Sequence, residues 1–181
     1  LNVIIQGVEA IACNDLVQIS LGPDGIAVIT PGMILEGEIE ANNNYIVIIT
    51  DQDGNVIPDA TVTCAHVGQT FMVSIQNICN NQSGWGTIFV EDKIGPQIVC
   101  TCPAGNTDPA CEINCLQVDQ LVDGNIPPEL HPTIIDNCPN VAVEIIDIDL
   151  NDEGCGGGYI IVTWKATDIG GNTSTCVQQF N

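Results

Sequence analysis

Short runs of β-branched and aliphatic residues alternate along the chain with clusters of Gly, Pro, Asn and Asp. Val and Ile suit a pleated, half-buried surface, and the intervening residues supply turn conformations. The pattern predicts strands over residues 2–6, 16–21, 26–30, 45–50, 61–64, 71–76 and 87–91. Further strands are expected over 97–100, 141–148, 158–166 and 174–180. No window sustains apolar residues at helical spacing, so little helix beyond single turns is expected, and the fold class reads as all-β.

Two strands differ in their faces. Ile160, Val162, Trp164 and Ala166 alternate with Tyr159, Thr163 and Lys165, leaving Ile161 as the one aliphatic residue on the second face. The Trp164 face is the expected core face. Residues 45–49, in contrast, are apolar on both faces, which predicts a central strand covered on each side or one that touches a neighbouring chain. Asp53-Gly54-Asn55 follows with the chemistry of a tight hairpin, since Gly and Asn adopt positive φ at low cost.

A chain of 181 residues can form one large sandwich or two small domains. Around Glu91-Asp92-Lys93-Ile94-Gly95-Pro96 the alternating strands give way to a Cys- and Pro-rich stretch. The boundary is expected there, giving two disulfide-rich, Ig-like β-sandwich domains at 1–93 and 94–181. Residues 1–10 lack the basic start and apolar stretch of a signal peptide, and the sequence does not begin with Met, as in a processed protein or a segment of a longer one. No apolar run approaches the roughly 18 residues of a membrane span, so no membrane insertion is expected.

Charge narrows the function classes. There are 23 acidic residues against two basic ones, Lys93 and Lys165, for a formal net charge of -21. Phosphate binding needs clustered Lys or Arg, so nucleic acid is excluded as a partner. An acidic surface either resists aggregation or recruits divalent cations. Ten cysteines are far more than a reducing cytosol favours in a chain of this size. Cys13, Cys64, Cys79, Cys100, Cys102, Cys111, Cys115, Cys138, Cys155 and Cys176 are therefore expected in disulfides, in an extracellular or cell-surface setting. Three precede the boundary and seven follow it, so full pairing within the chain requires a bridge between the halves.

The second half resembles a hyalin-repeat (HYR) domain, an Ig-like β-sandwich of extracellular proteins. The resemblance lies in residues 92–100 (DKIGPQIVC), in Asp136-Asn137-Cys138, in residues 162–168 (VTWKATD) and in residues 170–176 (GGNTSTC). Both halves also resemble modules repeated in large secreted surface proteins of Bacteroidota-type bacteria. That resemblance lies in Cys13-Asn14-Asp15, Ile29-Thr30-Pro31, residues 33–37, residues 63–70 and residues 85–93. It implies turns and core positions and names no ligand. The Cys100-Thr101-Cys102 and Cys111–Cys115 groups are richer than the hyalin-repeat pattern, so connectivity stays open. Cys176 with Cys100 or Cys102, and Cys138 with Cys155, are the preferred pairings because they would staple strand ends across a sandwich.

Several residues invite sharper readings. Cys100, Cys102, Cys111, Cys115, Cys138 and His131 are zinc-ligand types, but the paired Cys-x-x-Cys spacing is absent. Asp51, Asp53 and Asn55 have the alternate spacing of a calcium loop. Val62 stands where such a loop places a bidentate Glu, so a hairpin turn explains the same residues. Asp147, Asp149 and Asp152 are read in the same way. His66 and His131 have no nucleophile motif beside them, and no Gly-x-Ser-x-Gly elbow or phosphate loop is present, so no enzyme is expected. Trp85 could stack on a sugar if exposed, although its two flanking glycines also fit a turn of the resembled modules. Asn81-Gln82-Ser83 and Asn172-Thr173-Ser174 match the N-glycosylation pattern. Lys165 sits on a polar face, which disfavours a buried isopeptide bond.

The expected function is a non-catalytic structural module or subunit of an extracellular adhesin, fibre or filament. Its partners would be copies of the same protein, in tandem repeats or as fibres. Asn2, Val3, Ile4, Ile5 and Gln6 are the candidate strand to donate to a neighbour. No cofactor is required by this reading, and calcium is the ion weighed. The alternative is an extracellular ligand-binding module for glycans or calcium.

Overall fold

The computed structural model describes residues 11–37, 44–103, 105, 108–152 and 157–181. The expected strand over 2–6, with Asn2, Val3, Ile4, Ile5 and Gln6, lies outside them, as does Cys155. The chain forms two compact units, Leu1–Asp92 and Lys93–Asn181. Both are β-sandwiches.

In the first unit the strands are β1 Leu16–Ser20, β2 Ile26–Val28, β3 Tyr45–Thr50, β4 Val56–Ile57, β5 Thr61–Thr63, β6 Thr70–Asn77 and β7 Ser83–Glu91. One layer is a five-stranded sheet in the order β1-β7-β6-β3-β4, and β2 pairs with β5 as a second layer. Every pairing is antiparallel except β1 with β7, whose parallel register runs from Leu16 beside Thr87 to Ser20 beside Glu91. The sheet turns Ile19, Ile49, Val73, Ile75, Ile88 and Val90 inward, all buried, and Val62 of β5 is buried as well. Burial at roughly 25 cal/mol per Å² of apolar surface is what holds such short strands in register. A one-turn helix, α1 Pro31–Ile34, precedes β3 and buries Ile34.

Gly84 and Gly86 flank Trp85 inside β7, so the expected turn is a strand. A Cβ on Gly84 would stand 2.5 Å from Cys13 Sγ, and one on Gly86 2.3 Å from the Asn14 carbonyl oxygen. Both glycines are needed because the backbone leading into β1 crosses β7 without room for a side chain.

The second unit contains β8 Gln97–Val99, β9 Thr133–Ile135, β10 Ala142–Asp152, β11 Gly158–Thr167 and β12 Thr173–Phe180. β8 pairs with β9, and β10-β11-β12 form an antiparallel sheet. Ile160, Val162, Trp164 and Ala166 are buried, as their alternation requires, and join Leu121, Leu130 and Phe180 in one core.

That core includes a true helix, α2 Cys115–Val122, where only single turns were expected. Asn114 caps it by accepting from the Gln117 amide at 3.0 Å, and Gln117 Oε1 accepts from the Asn114 amide at 3.1 Å. This reciprocal capping box satisfies two amides that the first helical turn leaves unbonded. Only Leu121 is fully buried, so the hydrophobic period is too short to announce the helix.

Disulfides brace this unit. Cys100, just after β8, bonds to Cys176 on β12, and Cys102 bonds to Cys111. Of the two partners open to Cys176, the structure uses Cys100. Cys64 and Cys138 are also disulfide-bonded. Cys13 and Cys79 stand as thiols, which departs from the expectation of bridges at every cysteine. Cys79 is exposed in the turn between β6 and β7, and Cys13 is half-buried under Gly84.

Candidate functional site

Three carboxylates meet at the ends of three strands. Asp92 follows β7, Asp136 follows β9, and Asp168 follows β11. One carboxylate oxygen from each lies within 4.8 Å of the others, and Asp92 and Asp168 are buried. Asp136 and Asp168 each open a turn at a strand end. Asp136 Oδ1 accepts from the Cys138 amide at 2.9 Å. Asp168 accepts from the Asn172 amide and from Asn172 Nδ2, both at 2.8 Å, while the Asp168 amide donates to the Asn172 carbonyl.

Carboxylates packed this closely repel, by an amount that grows as water is excluded. Hard divalent cations are the ions that oxygen ligands of this kind suit, calcium with six to eight of them. The three aspartates would supply part of such a shell, leaving the rest to carbonyls or water. Sequence reasoning quoted Asp92, Asp136 and Asp168 as marks of a resemblance but did not see them as a site. Only Asp92 directly follows an expected strand, 87–91, so the sequence carried no common signal for the three.

The weighed calcium residues sit elsewhere. Asp51 closes the β3–β4 hairpin: its Oδ1 accepts from the Asp53 amide at 2.9 Å and the Asn55 amide at 2.8 Å, and its Oδ2 accepts from Asn55 Nδ2 at 2.9 Å. The Asn55 side chain, then its backbone amide, holds the Asp51 carboxyl below its usual range. This geometry is that of a hairpin turn. Asp147 and Asp149 are exposed along β10.

The remaining candidates are placed as follows. His66 Nδ1 accepts from the Thr63 amide at 2.9 Å, and its ring meets Phe71 edge-on at 5.3 Å, so it caps and packs a 3₁₀ turn. His131 lies 5.3 Å from the buried Trp164 ring. Burial, with the Glu36 carboxylate adding to it, pushes the Cys13 thiol up, away from nucleophilic character. A cleft of about 580 Å³ holds Cys115 with no histidine among its described lining residues, and one of about 420 Å³ holds His131 with no cysteine. The structure thus keeps the cysteine and imidazole of those clefts in separate places. Lys165 Nζ pairs with Glu144 at 3.2 Å on the solvent side of β11. Asn172 is engaged in the Asp168 turn, whereas Asn81 is exposed at a positive φ. Trp85 is 71 % exposed.

Strand order, the paired layers and the bridging cysteines define an all-β, disulfide-braced, Ig-like sandwich. No protein-family model and no curated protein matches the chain. Among solved structures it is similar to the crystal structure of Drosophila N-cadherin EC1-4, with a TM-score of 0.31 and 11 % identity over 96 % of this chain and 49 % of that one. It is also similar to protocadherin gamma B7 extracellular cadherin domains 1-4, with a TM-score of 0.26 and 11 % identity over 93 % of this chain and 50 % of that one. The chain spans about half the length of each. A likeness this distant carries no argument about activity or partners. Among the described residues no helix is long and apolar enough to cross a membrane.

Proposed function

We propose that the chain is a non-catalytic structural or adhesive module of an extracellular or cell-surface protein, working in tandem or as a fibre with copies of itself. The observation that carries this reading is the Cys100–Cys176 bridge, which ties β8 to β12 across 76 residues of sequence. Bracing of this kind serves durability in an oxidising compartment. The hyalin-repeat resemblance points the same way, and residues 2–6 are the segment we assign to donation into a neighbouring sheet. Electron microscopy of unreduced protein, beside mass measurement with and without reductant, tests it. Regular fibres that lose order when residues 1–10 are removed are the expected result. Dispersed single modules that bind a soluble oligosaccharide would instead establish a ligand-binding module.

The three-aspartate cluster favours a calcium role within this reading. Bound cation would neutralise the three carboxylates. Calcium titration followed calorimetrically should show one site, and saturating calcium should raise the unfolding midpoint by mass action. Asp168→Asn should remove that site, whereas Asp51→Asn should leave it; equal titrations for both variants would sink the assignment.

A further inference from the structure

We infer that the outer face of the five-stranded sheet in the first unit docks against the same face of a second copy of this chain. The strand register puts Leu16, Ile46, Ile48, Val56, Met72 and Trp85 on one side of the sheet. All six are exposed, from 38 % for Ile48 to 71 % for Trp85. Between them lie Ser74, Gln76 and Thr87, and Glu91, beside Ser20 at one end, is the only charged strand residue on that side among the described residues. Large apolar side chains gathered on one face mark an interaction surface, unlike single exposed residues scattered over a protein.

Charge selects the occupant. With a net charge of -21, two copies repel one another over most of their surfaces, and this face, charged among its described strand residues only at Glu91 on its edge, is where they can approach. A basic partner would find no carboxylate in the middle of it. An oligosaccharide wants ring stacking and polar hydrogen-bonding groups, yet aliphatic side chains outnumber the single exposed Trp85 ring. The face is complementary to itself, as a two-fold contact requires.

Size sets the strength. Five strands at about 4.8 Å spacing, each about five residues long at about 3.3 Å per residue, make a face of roughly 400 Å². Two such faces remove roughly 800 Å² or somewhat more, in the range of transient complexes. The pairing is therefore weak and reversible, effective where modules are concentrated along a fibre. It is separate from donation of residues 2–6, because it uses the middle of the sheet.

Sedimentation velocity of the full chain across concentration and salt is the test. A monomer–dimer equilibrium that tightens as salt screens the acidic surfaces is expected. Met72→Asp should weaken it by about tenfold or more, each such charge being buried unpaired at the contact, with the unfolding midpoint held because Met72 is exposed. Removal of residues 1–10 should leave it intact, which distinguishes this contact from strand donation. A monomer at every concentration, or dimers that Met72→Asp does not weaken, would overturn the proposal. So would an oligosaccharide that shifts Trp85 emission while the chain stays monomeric.

Discussion

β3 of the first unit and β11 of the second carry similar numbers of aliphatic residues and use them differently. β11 buries Ile160, Val162, Trp164 and Ala166 and gives its other face to Tyr159, Thr163 and the Lys165–Glu144 pair. β3 buries Ile49 but exposes Ile46 and Ile48. A one-faced strand is satisfied by its own core, whereas a two-faced strand needs something outside it. Of the alternatives the sequence allowed for residues 45–49, cover on both sides is absent within the described residues, and contact with another chain is the one the docking proposal tests. Stability in the second unit leans on disulfides and a one-faced sheet, and association in the first unit on the surplus face.

The largest test of that contrast removes the long bridge. Replacing Cys100 and Cys176 together by Ser should destabilise the second unit by about 4 kcal/mol, the loop-closure value for a span of this length. Denaturant unfolding followed at Trp164, which is buried, should show the loss, while Trp85, exposed in the first unit, reports whether that unit is spared. Equal losses in both signals would mean that the bridge braces more than its own sandwich.

The faces of β3 come next. Ile49→Ala should cost about 2–4 kcal/mol by opening a cavity. Ile48→Ala, one position away on the outer face, should cost under about 0.5 kcal/mol while weakening self-association. A large stability loss from Ile48→Ala would show that the outer face is part of a core.

Smaller again is the pair on the polar face of β11. Lys165→Gln should change unfolding by no more than about 0.5 kcal/mol, since the ion pair is solvent-exposed. Last is the Asp51 hairpin, read through pH. Hydrogen bonds lower the folded pKa of this carboxyl below its ordinary value of 3.8. Its contribution is therefore present above 3.8 and is lost as pH falls through the lower, folded value. Asp51→Asn should flatten the acid limb of a stability-against-pH curve and leave the neutral limb in place. An unchanged acid limb would show the turn to be indifferent to that charge.

Alternation made the sheets readable: residues 45–50 and 158–166 became strands with little or no change of bounds, and the inward face of β11 followed from the alternation of Ile160, Val162, Trp164 and Ala166. What escaped reading lacked a period. Val56–Ile57 and Thr133–Ile135 are too short to show one, and α2 depends on a cap at Asn114 and one buried leucine. The cluster of Asp92, Asp136 and Asp168 spans 76 residues of sequence and becomes visible only when the strand ends converge. Trp85 deceived locally, because glycines that look like a turn are clearance for the chain entering β1.

The parallel pairing of β1 with β7 sets how the first unit responds to tension. The chain enters the pair at Leu16 and leaves it at Glu91, at opposite ends of the shared register. A pull between those points runs along both strands, so the ladder from Leu16–Thr87 to Ser20–Glu91 is loaded in shear, all its bonds at once. An antiparallel pair pulled from one end opens like a zipper, one bond at a time. The first unit therefore behaves as a clamp, holding until its edge gives way in a single step.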